Sequence, residues 1–503
     1  MTVPAPTLAE VLSLREEIAV LRAQIAWFKQ KLFGGGQGET LDRAQLLLQL
    51  AALAQSAPAP RPTATVTYER PAGPAPKRTL PAETFAHLPV KETVEILPAE
   101  VQAAPADFER IGEERTFEVD LIPPQLFKRE IVRPKFRHRE ERTRPPLLAP
   151  APPRVVPGGF ASAGLIAWAL TAKYCDHLPL YRQEKMLARW AGLPGPAAPI
   201  SRQTLCDWAG AATALLEPLV KRMKQDLLKG GYVQADETPV RYNDPELRDG
   251  QTTQGFLWAL SRPAQAGQPG GDVVFEWRLS RRHEEAEKLL GQFQGLLQSD
   301  GYEAYPAYVR AHPGVEWLGC WAHARRGFHD ALGEAPVRAG FVLRLIGALY
   351  HYEAQWRTVG PGLRAARRQG HFGPTLALLK KTAQRLRELC LPRSQLGQAC
   401  GYLLGHWTPL TAHLAHGRTQ LDTNAVENAI RPSKLGAKNW LFVGHPDAGD
   451  RAAVRYSLLV SAQRRGLDPY VYLKDVLTRL PAMTTKDDLG PLLPGAWQPP
   501  VPK

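Results

Sequence analysis

Between residues 232 and 332 the apolar spacing alternates between strand-like and helix-like periods, and this stretch restricts the possible folds more than any other. Tyr232-Val233-Gln234-Ala235-Asp236 reads as a strand that delivers a carboxylate at its end. Residues 256–260 read as a second strand and 273–279 as a third. Over 283–293 the spacing is helical, with Ala286, Leu289, Leu290 and Phe293 on one side. A fourth strand over 296–299 ends at Asp300-Gly301, and a helical turn follows over 305–310. A fifth strand spans 315–321, and a helix begins over 324–332. Three strands, helix, strand, helix, strand, helix is an order that a mixed sheet with helices on its faces satisfies.

It is also the order of a ribonuclease-H-like domain, in which the first and fourth strands are neighbours. The expected fold class is therefore α/β, a mixed-sheet core over 229–332. Asp236 and Asp300 stand 300 − 236 = 64 positions apart, so only the fold could bring them together. Residues 333–420 are helical in character, read either as a separate domain or as an insertion that shapes a channel while the core closes around it. The core then resumes over 421–460, with a helix start capped by Asn424, and a C-terminal element covers 461–503. Spacing leaves two roles open for Glu427: a capping-box partner of Asn424 and ion-pair partner of Arg431, or a third functional carboxylate.

The N-terminal third has a different character. Val11, Leu14, Ile18, Leu21, Ile25, Phe28 and Leu32 form a heptad seam over 8–33, closed by Gly34-Gly35-Gly36. This coiled-coil helix (1–36) pairs with a second copy or packs on its own domain. Residues 37–85 hold one apolar helical patch, 46–53, and a Pro/Ala-rich linker. Residues 86–145 form a small segment whose stretch 128–144 carries eight Lys or Arg against three Glu. Alternation over 127–133 suggests a strand, and the run, with Arg133 and Lys135, either tracks phosphates or is a solvated basic face. A second linker and a helical module fill 146–228, with Ser201 as a helix cap.

Lys and Arg total 63 against 49 Asp and Glu, a formal charge of +14, which suits a polyanionic partner or simply a basic enzyme. The five cysteines are scattered with no CxxC spacing, which argues against a disulfide framework or a four-ligand zinc site and fits a reducing cytosol. No apolar stretch is long enough to span a bilayer, and the N-terminus lacks signal-peptide character, so a soluble protein without membrane partners is expected.

Four ordered blocks carry a resemblance. They are Ala235-Asp236-Glu237-Thr238-Pro239-Val240, Ser299-Asp300-Gly301-Tyr302-Glu303-Ala304-Tyr305, Cys320-Trp321-Ala322-His323-Ala324-Arg325-Arg326, and Asn424-Ala425-Val426-Glu427-Asn428-Ala429-Ile430-Arg431-Pro432, the last followed by Lys438-Asn439-Trp440-Leu441-Phe442. With them the chain resembles bacterial transposases of the insertion sequence 66 family, which carry an Asp-Asp-Glu (DDE) triad. The resemblance covers nearly the whole chain, including the zipper-like start and a tail beginning at Leu467-Asp468-Pro469-Tyr470. One departure stands out: where the family carries a cysteine-bearing, zinc-finger-like segment, residues 88–141 have no cysteine. A similar small fold without zinc is inferred there.

The resemblance implies Asp236, Asp300 and Glu427 as catalytic carboxylates and ligands of two Mg²⁺ or Mn²⁺ ions. Magnesium prefers such hard oxygen donors. Glu237, on the opposite face of the strand, is excluded. The implied function is metal-dependent cleavage of element ends followed by 3′-hydroxyl strand transfer into target DNA. An inactive DNA-binding relative and a nuclease without strand transfer are the alternatives. Arg325, Arg326, Arg431, Lys434 and Lys438 are expected on phosphates. Trp440 is read as a base-stacking platform or a core residue. His323 and Asn424 are candidates for active-site support. The expected setting is a bacterial cytoplasm, associated with the nucleoid, as a homo-oligomer with possible helper proteins of the same element.

Overall fold

A computed structural model describes the chain continuously over residues 147–192, 200–247, 251–263 and 270–500, and in short stretches between 90 and 145. The heptad helix, the patch at 46–53 and the first linker lie outside the described residues. The chain divides into two units, Met1–Pro123 and Pro124–Lys503. In the first, the described elements are a short helix, α1 (Ala99–Ala103), and a 3-10 turn, Pro105–Asp107.

The second unit begins with a correction. The strand expected over 127–133 does not form; the pairing there is a two-residue ladder between β1 (Lys135–Phe136) and β2 (Leu147–Leu148). Phe127 is 76% exposed and Val132 74%, so among the described residues the alternation has no apolar layer to face and no partner strand to hold it.

Three helices follow: α2 (Ala163–Tyr174), α3 (Leu180–Trp190) and α4 (Arg202–Leu228). Ser201 caps α4 as its sequence suggests, its hydroxyl accepting from the Thr204 N–H at 3.1 Å.

The sheet is built from β3 (Tyr232–Asn243), β4 (Thr252–Ser261), β5 (Val273–Arg278), β6 (Gly295–Gln298) and β7 (Val315–Leu318). Helix α5 (His283–Leu290) lies between β5 and β6 in sequence, and α6 (Ala304–Ala311) between β6 and β7. Strand order is β5-β4-β3-β6-β7, antiparallel across β5, β4 and β3 and parallel across β3, β6 and β7. This is the mixed sheet that the sequence order requires, with the first and fourth strands adjacent. Each strand lies within a few residues of its expected position, except that β3 does not stop at Asp236 but continues for seven more residues against β4.

Helices cover the sheet and bury one continuous core. After β7 the chain enters α7 (Trp321–Asp330), α8 (Pro336–Gln355), α9 (Pro361–Leu389), α10 (Gln395–Gly405) and α11 (Trp407–Thr411), which enclose a core of their own around Phe328, Ile346, Phe372, Leu379 and Cys400. It returns to the sheet with α12 (Asn424–Trp440), α13 (Pro446–Arg464) and α14 (Pro469–Arg479). Helix α13 also seals the sheet edge: Ser461 and Ser457 hydroxyls accept from the N–H groups of Val273 and Phe275 at 2.9 and 2.8 Å. An edge strand left unpaired would invite pairing with another chain. No helix among the described residues is long and apolar enough to cross a membrane.

Candidate active site

The parallel register places the two aspartates. Tyr232 pairs with Leu296, Val233 with Leu297 and Gln234 with Gln298, a constant offset of 296 − 232 = 64. Asp236 and Asp300 keep that offset, 300 − 236 = 64, two positions beyond the last pair. They therefore stand side by side where β6 ends and β3 runs on, on neighbouring strands whose spacing is about 4.8 Å. Asp300 turns back on its own loop, with Oδ1 accepting from the Tyr302 N–H at 2.9 Å. Asp236 Oδ1 accepts from the Glu237 N–H at 2.9 Å.

A series of polar contacts brings the third carboxylate in. Gln234 donates to the Asp422 carbonyl at 2.7 Å, and Gln298 to the Gln420 carbonyl at 3.0 Å. The Trp321 N–H donates to the Leu421 carbonyl at 2.9 Å. These bonds fix the approach to α12 against β3, β6 and the start of α7, and α12 then packs on β3 and β4. The N-cap of α12 is Thr423 rather than Asn424, whose side chain makes no cap. Thr423 is buried, and its hydroxyl lies 3.1 Å from Cys320 Sγ and 3.3 Å from Glu427 Oε1. Nor does Glu427 pair with Arg431. Its ionic neighbours are Arg326 Nη2 at 3.5 Å and His323 Nδ1 at 3.8 Å, both on α7. The capping-box and helical ion-pair roles of Glu427 therefore do not apply, because its side chain turns towards α7.

Electrostatics ties the three carboxylates together. Burial pushes Asp236 up to about 8, and the charges of Glu237, Asp300 and Glu427 push the same way. Three like charges, those of Glu237, Asp300 and Glu427, act on Asp236. Glu237, the next residue, is handled otherwise. It accepts from the Tyr305 hydroxyl at 2.5 Å and from Arg281 Nε at 2.7 Å, and its side chain is buried. The Arg281 guanidinium stacks 3.8 Å over the ring of Tyr302, two residues after Asp300 in the chain. Glu237, Arg281 and Tyr305 are 44 and 68 positions apart, so no local spacing in the sequence betrays them.

The helical insertion reaches the site as well. A Cβ on Gly301 would lie 2.6 Å from His406 Nε2 and 2.9 Å from Tyr402, so the backbone after Asp300 packs closely under α10. A second donor set shares Glu427: Cys320 Sγ, a ring nitrogen of His323 and a Glu427 oxygen lie within 4.8 Å of one another. Its sequence signal is the Cys320-x-x-His323 spacing on α7, which a search for paired cysteines passes over. Thr423 donates to Cys320 Sγ, but burial, the larger effect, raises the thiol to about 11.

The basic residues divide into several groups. Arg325, Arg326, Arg431, Lys434 and Lys438 are exposed on α7 and α12, and Lys434 Nζ donates to the Pro239 carbonyl of β3 at 2.7 Å. Arg133 and Lys135 are exposed in the β1 region, with Arg133 donating to the Ala149 carbonyl at 3.0 Å. Trp440 is not a free platform: its half-buried ring lies against Tyr174, with Lys173 Nζ 5.6 Å from its centroid.

Against known sequences, residues 158–451 match the family described as Transposase IS66 family, and residues 457–494 match the IS66 C-terminal element. Three uncharacterised proteins of Sinorhizobium fredii are similar across most of the chain. The protein y4jD is 34% identical over 400 residues, covering 77% of this chain and 76% of its own. For y4qI the identity is 31% over 444 residues, covering 86% and 80%, and for y4hP it is 29% over 410 residues, covering 77% and 71%. With a family match that spans both the sheet and the insertion, and a second match at the C-terminal element, the chain belongs to the IS66 transposase family.

Proposed function

We propose that this transposase is of the DDE type, cutting element ends and joining the freed 3′-hydroxyl to target DNA with Asp236, Asp300 and Glu427 as its metal ligands. The observation that carries this reading is the shared register of the two aspartates, together with an Asp236 carboxyl raised first by burial and then by the charges of Glu237, Asp300 and Glu427. The β5-β4-β3-β6-β7 order supports a ribonuclease-H-like core. Carboxylates at a half-buried site are a donor set suited to hard divalent cations. Held by Asp236, Asp300 and Glu427, Mg²⁺ or Mn²⁺ ions would supply Lewis-acid stabilisation of the charge that develops on oxygen during phosphodiester displacement.

The chain's own residues do the rest. Asp236 and Asp300 present oxygens from adjacent strands, and Glu427 presents its own from α12. Thr423, His323 and Arg326 hold the Glu427 side chain. Arg325, Arg431, Lys434 and Lys438 neutralise phosphates along the helix faces beside the site. The protein acts on DNA in the bacterial cytoplasm, and its N-terminal heptads pair copies of the chain.

The test is cleavage of end-labelled duplexes carrying the element's termini, with Mg²⁺ or Mn²⁺. Asp236→Asn, Asp300→Asn and Glu427→Gln are each expected to lower the rate by roughly 10²–10³-fold or more, the scale of losing a preorganised electrostatic contact at a reacting group. Parent-like cutting by these variants would remove the assignment. Cleavage without strand-transfer products from a pre-cut 3′ end would reduce the function to that of a nuclease.

A further inference from the structure

Helix α12 ends in a way that the carboxylate chemistry does not explain. Its exposed side carries Glu427, Arg431, Lys434 and Lys438 at steps of four, three and four, and Leu441 follows at three. The opposite side, with Val426, Ile430, Ser433 and Gly436, is buried. Leu441 then has φ 68° and ψ −47°, and the Phe442 N–H donates to the Trp440 carbonyl at 2.8 Å. This is a γ-turn of positive φ, a rare and strained conformation for a branched side chain. The strain is held from both sides: Trp440 and Val443 pack inward on the core, and Val443 exchanges backbone hydrogen bonds with Arg241 and Asn243 at 2.8 and 2.7 Å. Both partners belong to β3, the strand that carries Asp236.

The strained turn presents two large apolar side chains to solvent, Leu441 at 68% exposure and Phe442 at 42%. Neither packs on the core. Two side chains are too few for a protein interface, which needs several hundred Å² on each partner. Along the same helix face, about three, two and one turns before Leu441, stand the cations Arg431, Lys434 and Lys438, complementary to a phosphate backbone.

We propose that Leu441 and Phe442 form an apolar wedge that enters the base stack of duplex DNA lying along α12 and opens one step. Proteins that kink or unstack DNA insert Phe and Leu in this way, at a cost of a few kcal/mol per step that the flanking phosphate contacts offset. The site rests on the transposase reading for its substrate. Leu441 lies 441 − 427 = 14 residues from Glu427, about 21 Å along a helix at 1.5 Å per residue. At 3.4 Å per base pair the opened step is no more than about six pairs from the scissile phosphate.

The experiment uses full-length Glu427→Gln protein, which binds without cutting, and duplexes with the element's terminal sequence carrying 2-aminopurine at successive positions near the cleavage site. One position within about six of the scissile phosphate should brighten several-fold on binding. Leu441→Gly and Phe442→Ser in the same background should abolish that rise. Leu441→Gly should also keep or raise the thermal midpoint, because glycine adopts positive φ without steric conflict, so lost unstacking cannot be ascribed to misfolding. Uniformly quenched fluorescence, an undiminished rise in both variants, or a changed oligomeric state with the rise intact would each overturn the wedge. The two readings fail separately: metal-dependent cutting by the parent without an opened step removes the wedge alone, and an opened step without cutting removes the proposed catalysis alone.

Discussion

Glu353 in the helical insertion and Asp236 on the sheet are both withdrawn from water, yet their charges are handled in opposite ways. Glu353 is enclosed by Arg364 and Arg368, with Arg364 Nε at 2.9 Å and Arg368 Nε at 2.6 Å. Burial works to raise its pKa, but the hydrogen bonds and charges of the two arginines outweigh it and hold the carboxyl below the usual range. Asp236 has burial and three like charges, and it is raised to about 8. The first arrangement is complete within the chain. The second, on the proposed reading, takes a cation from outside it. A buried acid with its own arginines serves architecture, and one surrounded by other acids is poised for a ligand.

The largest expected effect breaks the structural half of this contrast. Glu353→Gln leaves two buried guanidinium groups uncompensated and should cost about 3–5 kcal/mol, read as a lower denaturant midpoint. Asp236→Asn should leave the metal-free midpoint unchanged or higher, since it removes one of several mutually repelling charges, while cleavage falls. Equal destabilisation by the two variants would erase the distinction.

A smaller effect sharpens the other half. Because the folded pKa of Asp236 lies above its unfolded value, its contribution to stability is fully present below about pH 4 and lost as pH rises through about 8. A divalent cation relieves the repulsion that grows in that window. Added Mg²⁺ should therefore raise the thermal midpoint more at pH 8.5 than at pH 6. A pH-independent gain, or the same gain in Asp236→Asn, would mean that the ion binds elsewhere.

Much of this was legible from the chain alone. The strands show their period because each buries an apolar face, and the order of elements is enough to put the first and fourth strands side by side. Asp236 and Asp300 could be read from strand pattern. Glu427 could not, since Asn424 and Arg431 supply a local explanation that the structure dismisses; only family resemblance singled it out. The strand expected at 127–133 failed because alternation records a buried face only where there is something to be buried against. Glu237, Arg281 and Tyr305 were invisible for another reason. Their contacts span 44 and 68 positions, and no periodicity reports a contact made through tertiary folding. The Leu441 turn was likewise hidden, because a residue's sequence does not announce a positive φ unless it is glycine.

The helical insertion stands between β7 and α12 in the chain, and Arg368 clasps the carbonyls of His413, His416 and Thr419 just ahead of the third carboxylate. During synthesis, then, the ribosome releases both aspartates long before the glutamate. A polypeptide that stops at residue 420 has all five strands but still lacks α12 and the serines that close the border strand. If Glu427 is the third ligand as proposed, prematurely terminated products lack it, and cutting power belongs only to copies translated nearly to the end.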